Sequence, residues 1–291
     1  MKRIFLFIAT NLAVLALLSL VMFCIESVFG VRLGTGGLGS LLAFSALFGF
    51  GGALISLALS KWIAKRTMGV RVIGQARTEQ EAWLLAAVQR LAGHANVGMP
   101  EVGIFEAEEM NAFATGARRD AALVAVSTGL LRGMPRPQIE AVLGHEISHV
   151  ANGDMVTLTL LQGVLNTFVI FLARIIGNIV DRAVLKNDRD ESGIGFFVTT
   201  MVAQIILGLF ASMIVSAFSR YREFRADRGG ADLAGTGNMV GALESLQRSH
   251  GEPMPPQMQA FGINTGSASG FMRLFMSHPP LEARIAALRR T

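Results

Sequence analysis

Apolar and polar positions follow two different rhythms along this chain. Four stretches stay apolar for about twenty residues or more: 4 to 25, about 36 to 59, about 155 to 180, and 193 to 218. The first two hold no charged residue and reach the roughly 20 residues that a helix needs to cross a bilayer. The third carries Gln162, Asn166 and Arg174 and the fourth carries Gln204, so this pair reads as a helical hairpin only partly exposed to lipid, joined by the polar connector 181 to 192. Gly49, Gly51, Gly52 and Ala53 in the second stretch are small enough for close helix packing.

The remaining chain has the shorter periods of a folded polar domain. Trp83, Leu84, Ala87, Val88 and Leu91 recur at helical spacing over 78 to 94, whereas 102 to 105 and 121 to 126 are short β-type runs. The segment Gly116 to Asp120 suits the turn of a strand hairpin. Pro135 and Pro137 mark the entry to a helix over 138 to 150, and Gly153 marks its exit. The expected fold is mainly α with a small β-hairpin or sheet, in four parts. Residues 1 to 59 form two spans, 60 to 154 a first catalytic part, 155 to 218 the hydrophobic hairpin, and 219 to 291 a second catalytic part.

Composition sharpens the picture. The chain is 52% hydrophobic and only 16% charged, against roughly 25% charged residues in soluble domains. The net charge of +5 does not point to nucleic acid, because the basic residues flank apolar runs instead of forming one dense block. Lys2 and Arg3, then Lys61, Lys65, Arg66 and Arg71, then Arg220, Arg222 and Arg225 mark the cytoplasmic ends of the spans. Both termini and both larger polar regions are therefore expected on the cytoplasmic side. The first stretch is too long for a signal peptide, lacks a cleavage pattern, and reads as a retained anchor. A single cysteine, Cys24, excludes an intramolecular disulfide framework.

The chemistry sits on the helix over 138 to 150, in the string His145-Glu146-Ile147-Ser148-His149. Histidines four apart share a helix face and can bind one zinc ion, with Glu146 beside it as general base. The alternative is a pair of histidines solvating a surface helix; Ile139, Val142, Leu143 and Ile147 around them argue instead for burial. A hydrolytic zinc site needs a third protein ligand. The pattern that places a histidine six residues on is absent, since Asn152 and Met155 stand where its Gly and His would be. A glutamate from a later helix is the common remaining option; Glu223 can be that ligand while Asp227, four residues on, accepts a hydrogen bond from the outer nitrogen of a ligand histidine. Taken alone, that stretch also reads as a solvated helix of Arg–Glu pairs. An intramembrane-cleaving protease would bury its motif in an apolar span, but Arg132, Arg136 and Glu140 precede this one. A membrane scaffold or chaperone with a structural zinc would not need Glu146.

These residues together resemble the HtpX-type membrane metalloproteases, relatives of the CAAX prenyl endopeptidases. The matching strings are Asn111 to Gly116, Val126 to Leu131, His145 to His149, Glu223 to Asp227 and Ser277 to Arg284, in the same order along nearly the whole chain. The resemblance implies a four-span protein with a gluzincin-like metalloprotease domain and one Zn2+ per chain held by His145, His149 and Glu223. It implies a multi-pass protein of the bacterial inner membrane, acting in stress response on misfolded membrane proteins and unfolded chains. It also implies that Asn111, His278 and Arg284 line the active site. On the residues alone, Asn111 reads as a turn residue and His278 as a surface histidine; as site residues, both could hydrogen-bond the oxyanion of peptide hydrolysis. The run 121 to 126 is expected to be an edge strand that aligns extended substrate. Residues 252 to 269 are expected to form a loop over or beside the site.

Overall fold

The computed structural model describes residues 37–185, 193–250 and 272–290, together with Leu20, Phe23, Cys24 and Ser27. The expected first span and the expected loop over 252 to 269 lie outside the described residues, apart from Leu20, Phe23 and Cys24. The chain divides into two compact units, residues 1–56 with 158–215 and residues 57–157 with 216–291.

Among the described residues, three helices are long and apolar enough to cross a membrane: α1 (Leu38–Met68), α5 (Asp154–Ile179, prolonged by the wider turn Val180–Val184) and α6 (Ile194–Ala234). No proline interrupts them, so α1 runs beyond the expected end at 59 and α6 runs on through Ser219 to Asp227 as one helix. Within the first unit, α1 and α5 meet where side chains are smallest. A Cβ on Gly49 would lie 2.4 Å from Thr167 Oγ1 and 2.9 Å from the Gly163 carbonyl. Gly52 has open space around it, so only part of the small-residue run serves as a contact. The Arg174 guanidinium lies 4.0 Å from the centre of the Phe44 ring, covering its charge with an aromatic face. Asp181 closes the hairpin by accepting the backbone N–H groups of Gly193 (3.1 Å) and Phe196 (3.2 Å) at the start of α6. Phe168, Phe197, Ile205 and Phe210 stay exposed, as expected of surfaces that face lipid.

The second unit is built on a four-stranded sheet in the order β1 (Arg71–Val72), β2 (Glu101–Phe105), β4 (Leu123–Ser127), β3 (Ala112–Thr115). β2 and β4 are parallel, with Val102 opposite Val124, while β1–β2 and β3–β4 are antiparallel. The expected hairpin exists as β3–β4. The expected edge strand does not: β4 is paired on both sides, and the edge beyond it is β3. The physical reason is visible in Leu123-Val124-Ala125-Val126, an unbroken apolar run whose members are all at 0% exposure. Such a run marks a strand covered on both faces, not one that meets solvent.

Helix α2 (Glu79–His94) starts at Thr78, whose Oγ1 accepts the Glu81 N–H while Glu81 accepts the Arg77 N–H. It is a variant of the capping that a Thr-x-x-Glu string favours, with the carboxylate taking the N–H one residue before the cap. α3 (Thr128–Gly133) starts at buried Ser127, whose Oγ accepts the N–H groups of Leu130 and Asn111 and donates to the Glu109 carbonyl. α4 (Arg136–Asn152) follows Pro135 and ends at Gly153, whose φ of 67° lies in the left-handed region that glycine tolerates. Leu84, Val88, Val124, Ile139, Leu143, Met239 of α7 (Thr236–His250) and Ile285 of α8 (Leu281–Leu288) share one core. That core packs the buried side of α4.

Candidate metal centre

Helix α4 presents His145 and His149 from one face, 6% and 7% exposed, with Glu146 between them half-buried. α6 brings Glu223, 2% exposed, against that face. The approach is set by three glycines. A Cβ on Gly144 would touch Gly230 at 3.3 Å, one on Gly230 would lie 3.0 Å from the His145 nitrogen, and one on Gly229 would lie 2.3 Å from Ser148 Oγ. Larger residues at these positions would hold the two backbones apart and carry Glu223 away from the histidines.

The result is a tight cluster of donors. The two Nε2 atoms face each other at 3.2 Å. Glu223 Oε1 lies 3.3 Å from His149 Nε2, and Glu223 Oε2 lies 3.6 Å from His145 Nε2. One ligand atom from each of the three residues lies within 4.8 Å of the other two. Two imidazole nitrogens and a carboxylate, buried and converging, are a donor set that could hold a metal ion, as catalytic sites with one open position do. The residues fit a metal ion.

Each histidine is aimed by a carboxylate on its other nitrogen. Asp227 Oδ1 lies 2.9 Å from His145 Nδ1, beside the nitrogen it was expected to accept from, though without hydrogen-bond geometry. Asp154 Oδ2 lies 2.6 Å from His149 Nδ1, a role that the sequence reading missed. Both carboxylates are in turn held by arginines. Arg284 binds both oxygens of Asp227 and lies 3.2 Å from Glu223 Oε2. Arg222 Nη1 donates to the Asp154 carbonyl at 3.0 Å, and Arg225 Nη2 reaches Asp154 Oδ1 at 3.4 Å. A signal for Asp154 exists in the sequence: the left-handed Gly153 turns the chain so that the residue after it comes back over the last turn of α4.

The electrostatics follow from these contacts. Burial opposes a charge on His149, but its hydrogen bonds with Asp154 and Glu223 outweigh that cost, and its pKa in the metal-free protein is pushed up to about 9. Burial likewise opposes the Arg284 charge, and Asp227 more than compensates, so its pKa is raised. His278 Nδ1 lies 2.8 Å from Glu223 Oε2 with its side chain 65% exposed, which places it at the open side of the cluster. Asn111 is exposed and sits immediately before β3, its N–H and carbonyl both engaged by Ser127. The structure thus brings together His145, His149, Glu223, Asp227, His278 and Arg284, while the contacts of Asn111 are those of a strand end.

A family model described as peptidase family M48 matches residues 78–291. The chain is 59% identical over 293 residues to a protein of Thiobacillus denitrificans named Protease HtpX homolog, covering 99% of each. It is 60% identical over 291 residues to Protease HtpX of Nitrosococcus oceani, covering 99% of this chain and 98% of that one. Among solved structures it is similar to Ste24p of S. mikatae, with a TM-score of 0.68 at 17% identity over 97% of this chain. This chain spans 64% of the length of the Ste24p chain. At that identity the likeness establishes a Ste24p-like fold.

Proposed function

The chain belongs to peptidase family M48 and is a metalloprotease, and we propose that it is a zinc-dependent membrane endopeptidase acting on misfolded membrane proteins and unfolded chains. The observation that carries this reading is the buried convergence of His145, His149 and Glu223 within 4.8 Å, with Glu146 on the same helix. One zinc ion per chain would be held by those three side chains and would supply Lewis acidity toward the scissile carbonyl. Glu146 takes the proton from the attacking water and later returns one to the leaving amine. His278, on the open side of the cluster, and Asn111, at the end of β3, are the donors assigned to the oxyanion that develops on the carbonyl. Asp227, 2.9 Å from His145 Nδ1, would steady that ring.

Substrate is aligned on β3 rather than on β4. In an antiparallel pair every second residue turns its N–H and carbonyl away from its partner. Because the Ser127 N–H bonds the Asn111 carbonyl, and Ala112 lies opposite Val126, the outward residues are Ala112 and Ala114. Main-chain pairing of this kind reads backbone more than side chains, which suits a protease for unfolded segments. The three apolar helices support a multi-pass protein. The basic clusters beside them support a site at the cytoplasmic face of the inner membrane, within reach of damaged membrane proteins.

The test is zinc-dependent cleavage of casein by detergent-purified protein, comparing wild type with Glu146→Gln at matched zinc content. The variant is expected to keep its zinc and lose about 10²-fold or more in rate. Equal cleavage by both would point to a contaminating protease, and none by either with zinc bound would favour a membrane scaffold carrying a structural zinc.

A further inference from the structure

Asp154 occupies an unusual place: it is the first residue of the apolar helix α5, yet its carboxylate is 2% exposed and points back at His149. It therefore joins three elements of the second unit. Its Oδ2 contacts Nδ1 of His149 on α4 at 2.6 Å, its carbonyl accepts from Arg222 of α6 at 3.0 Å, and its Oδ1 meets Arg225 of α6 at 3.4 Å. Arg222 is itself 7% exposed. Arginines from α6 thus fix both the backbone and the side chain of Asp154, and Asp154 fixes the ring of His149.

A carboxylate also stands behind the other histidine, where Arg284 holds Asp227 and Asp227 Oδ1 lies 2.9 Å from Nδ1 of His145. A carboxylate on Nδ1 keeps the proton there, leaves Nε2 free to bind metal, stops the ring from rotating, and makes it a stronger donor. We propose that Asp154 is a positioning residue of the metal centre, acting through His149, and that the start of α5 is thereby part of the catalytic apparatus and not only the beginning of a membrane helix. The proposal rests on the reading of His145, His149 and Glu223 as a metal site.

The test measures zinc affinity directly, by competition of the full-length detergent-solubilised protein against a chromogenic chelator, for wild type, Asp154→Asn and Asp154→Ala. Thermal unfolding of each metal-free protein is measured alongside. Asp154→Asn keeps a side-chain oxygen that accepts from Nδ1 and keeps the polar start of α5, so it guards against simple misfolding. Outer-sphere partners of this kind are worth about 10- to 100-fold in metal affinity. Asp154→Ala is expected to weaken zinc binding by about that factor and Asp154→Asn by less, with the cobalt(II) absorption spectrum altered in both. Zinc affinity within twofold of wild type in both variants, or an unchanged cobalt spectrum, would overturn the proposal. Failure of the wild type itself to bind zinc would instead overturn the metal-site reading on which it rests.

Discussion

Arg284 grips Asp227 through two parallel hydrogen bonds, Nε to Oδ2 at 2.8 Å and Nη2 to Oδ1 at 2.5 Å, with both residues almost wholly buried. Asp227 in turn holds His145, so the pair connects the C-terminal helix α8 to the metal cluster. Replacing Arg284 with Ala leaves a buried carboxylate without its cation, a change that costs about 3–5 kcal/mol when one partner of a buried pair is lost. Arg284→Lys keeps the charge but not the planar fork, and is expected to fall between the two. Denaturant unfolding of the zinc-free proteins would measure this, and an unchanged midpoint for Arg284→Ala would count against the pair as a stabilising contact.

His149 makes the metal-free protein sensitive to pH in a definite direction. Its folded pKa of about 9 lies above the ordinary 6.5, so the stabilisation from its proton is fully present below about pH 6.5 and is lost as pH rises through 9. The whole effect is on the order of 3 kcal/mol. Chelator-treated protein should therefore unfold at lower denaturant at pH 9.5 than at pH 6. Zinc shows the opposite trend, because the ion must displace that proton, and its apparent affinity should climb with pH up to about 9. A flat affinity between pH 6 and 9 would contradict the assignment.

Gly49 and Gly52 differ by less than one helical turn and should respond oppositely to the same substitution. Gly49→Ala drives a Cβ to within 2.4 Å of Thr167 Oγ1 and 2.6 Å of the Thr167 nitrogen, an overpacking worth about 1–3 kcal/mol. Gly52→Ala meets nothing within 4 Å and gains up to about 1 kcal/mol of helix propensity. Thermal unfolding in detergent is expected to show a lower transition for the first variant and an equal or higher one for the second.

Ala112→Pro removes an N–H that faces away from β4 while leaving the β3–β4 hydrogen bonds in place. If extended substrate pairs with β3, KM for an unfolded chain should rise several-fold with kcat and zinc content little changed. A fall in kcat alone would place substrate elsewhere.

The sequence by itself determined what depends on neighbours along the chain. Four-residue spacing on a helix puts His145 and His149 on one face, the proline and glycine punctuation bounds that helix, and apolar length marks α1, α5 and α6. The placing of Glu223 and Asp227 beside the histidines was also legible, because the two lie one helical turn apart and follow a motif whose chemistry calls for a further carboxylate. The tertiary structure decided what depends on segments far apart in sequence. It made β4 central and β3 the edge, since pairing partners are fixed by which faces the core covers. It brought α6 within glycine distance of α4, set Arg222 and Arg225 against Asp154, and set His278 beside Glu223 while leaving Asn111 at a strand end. Those relationships arise from backbones packed at contact distance, and no local periodicity encodes them.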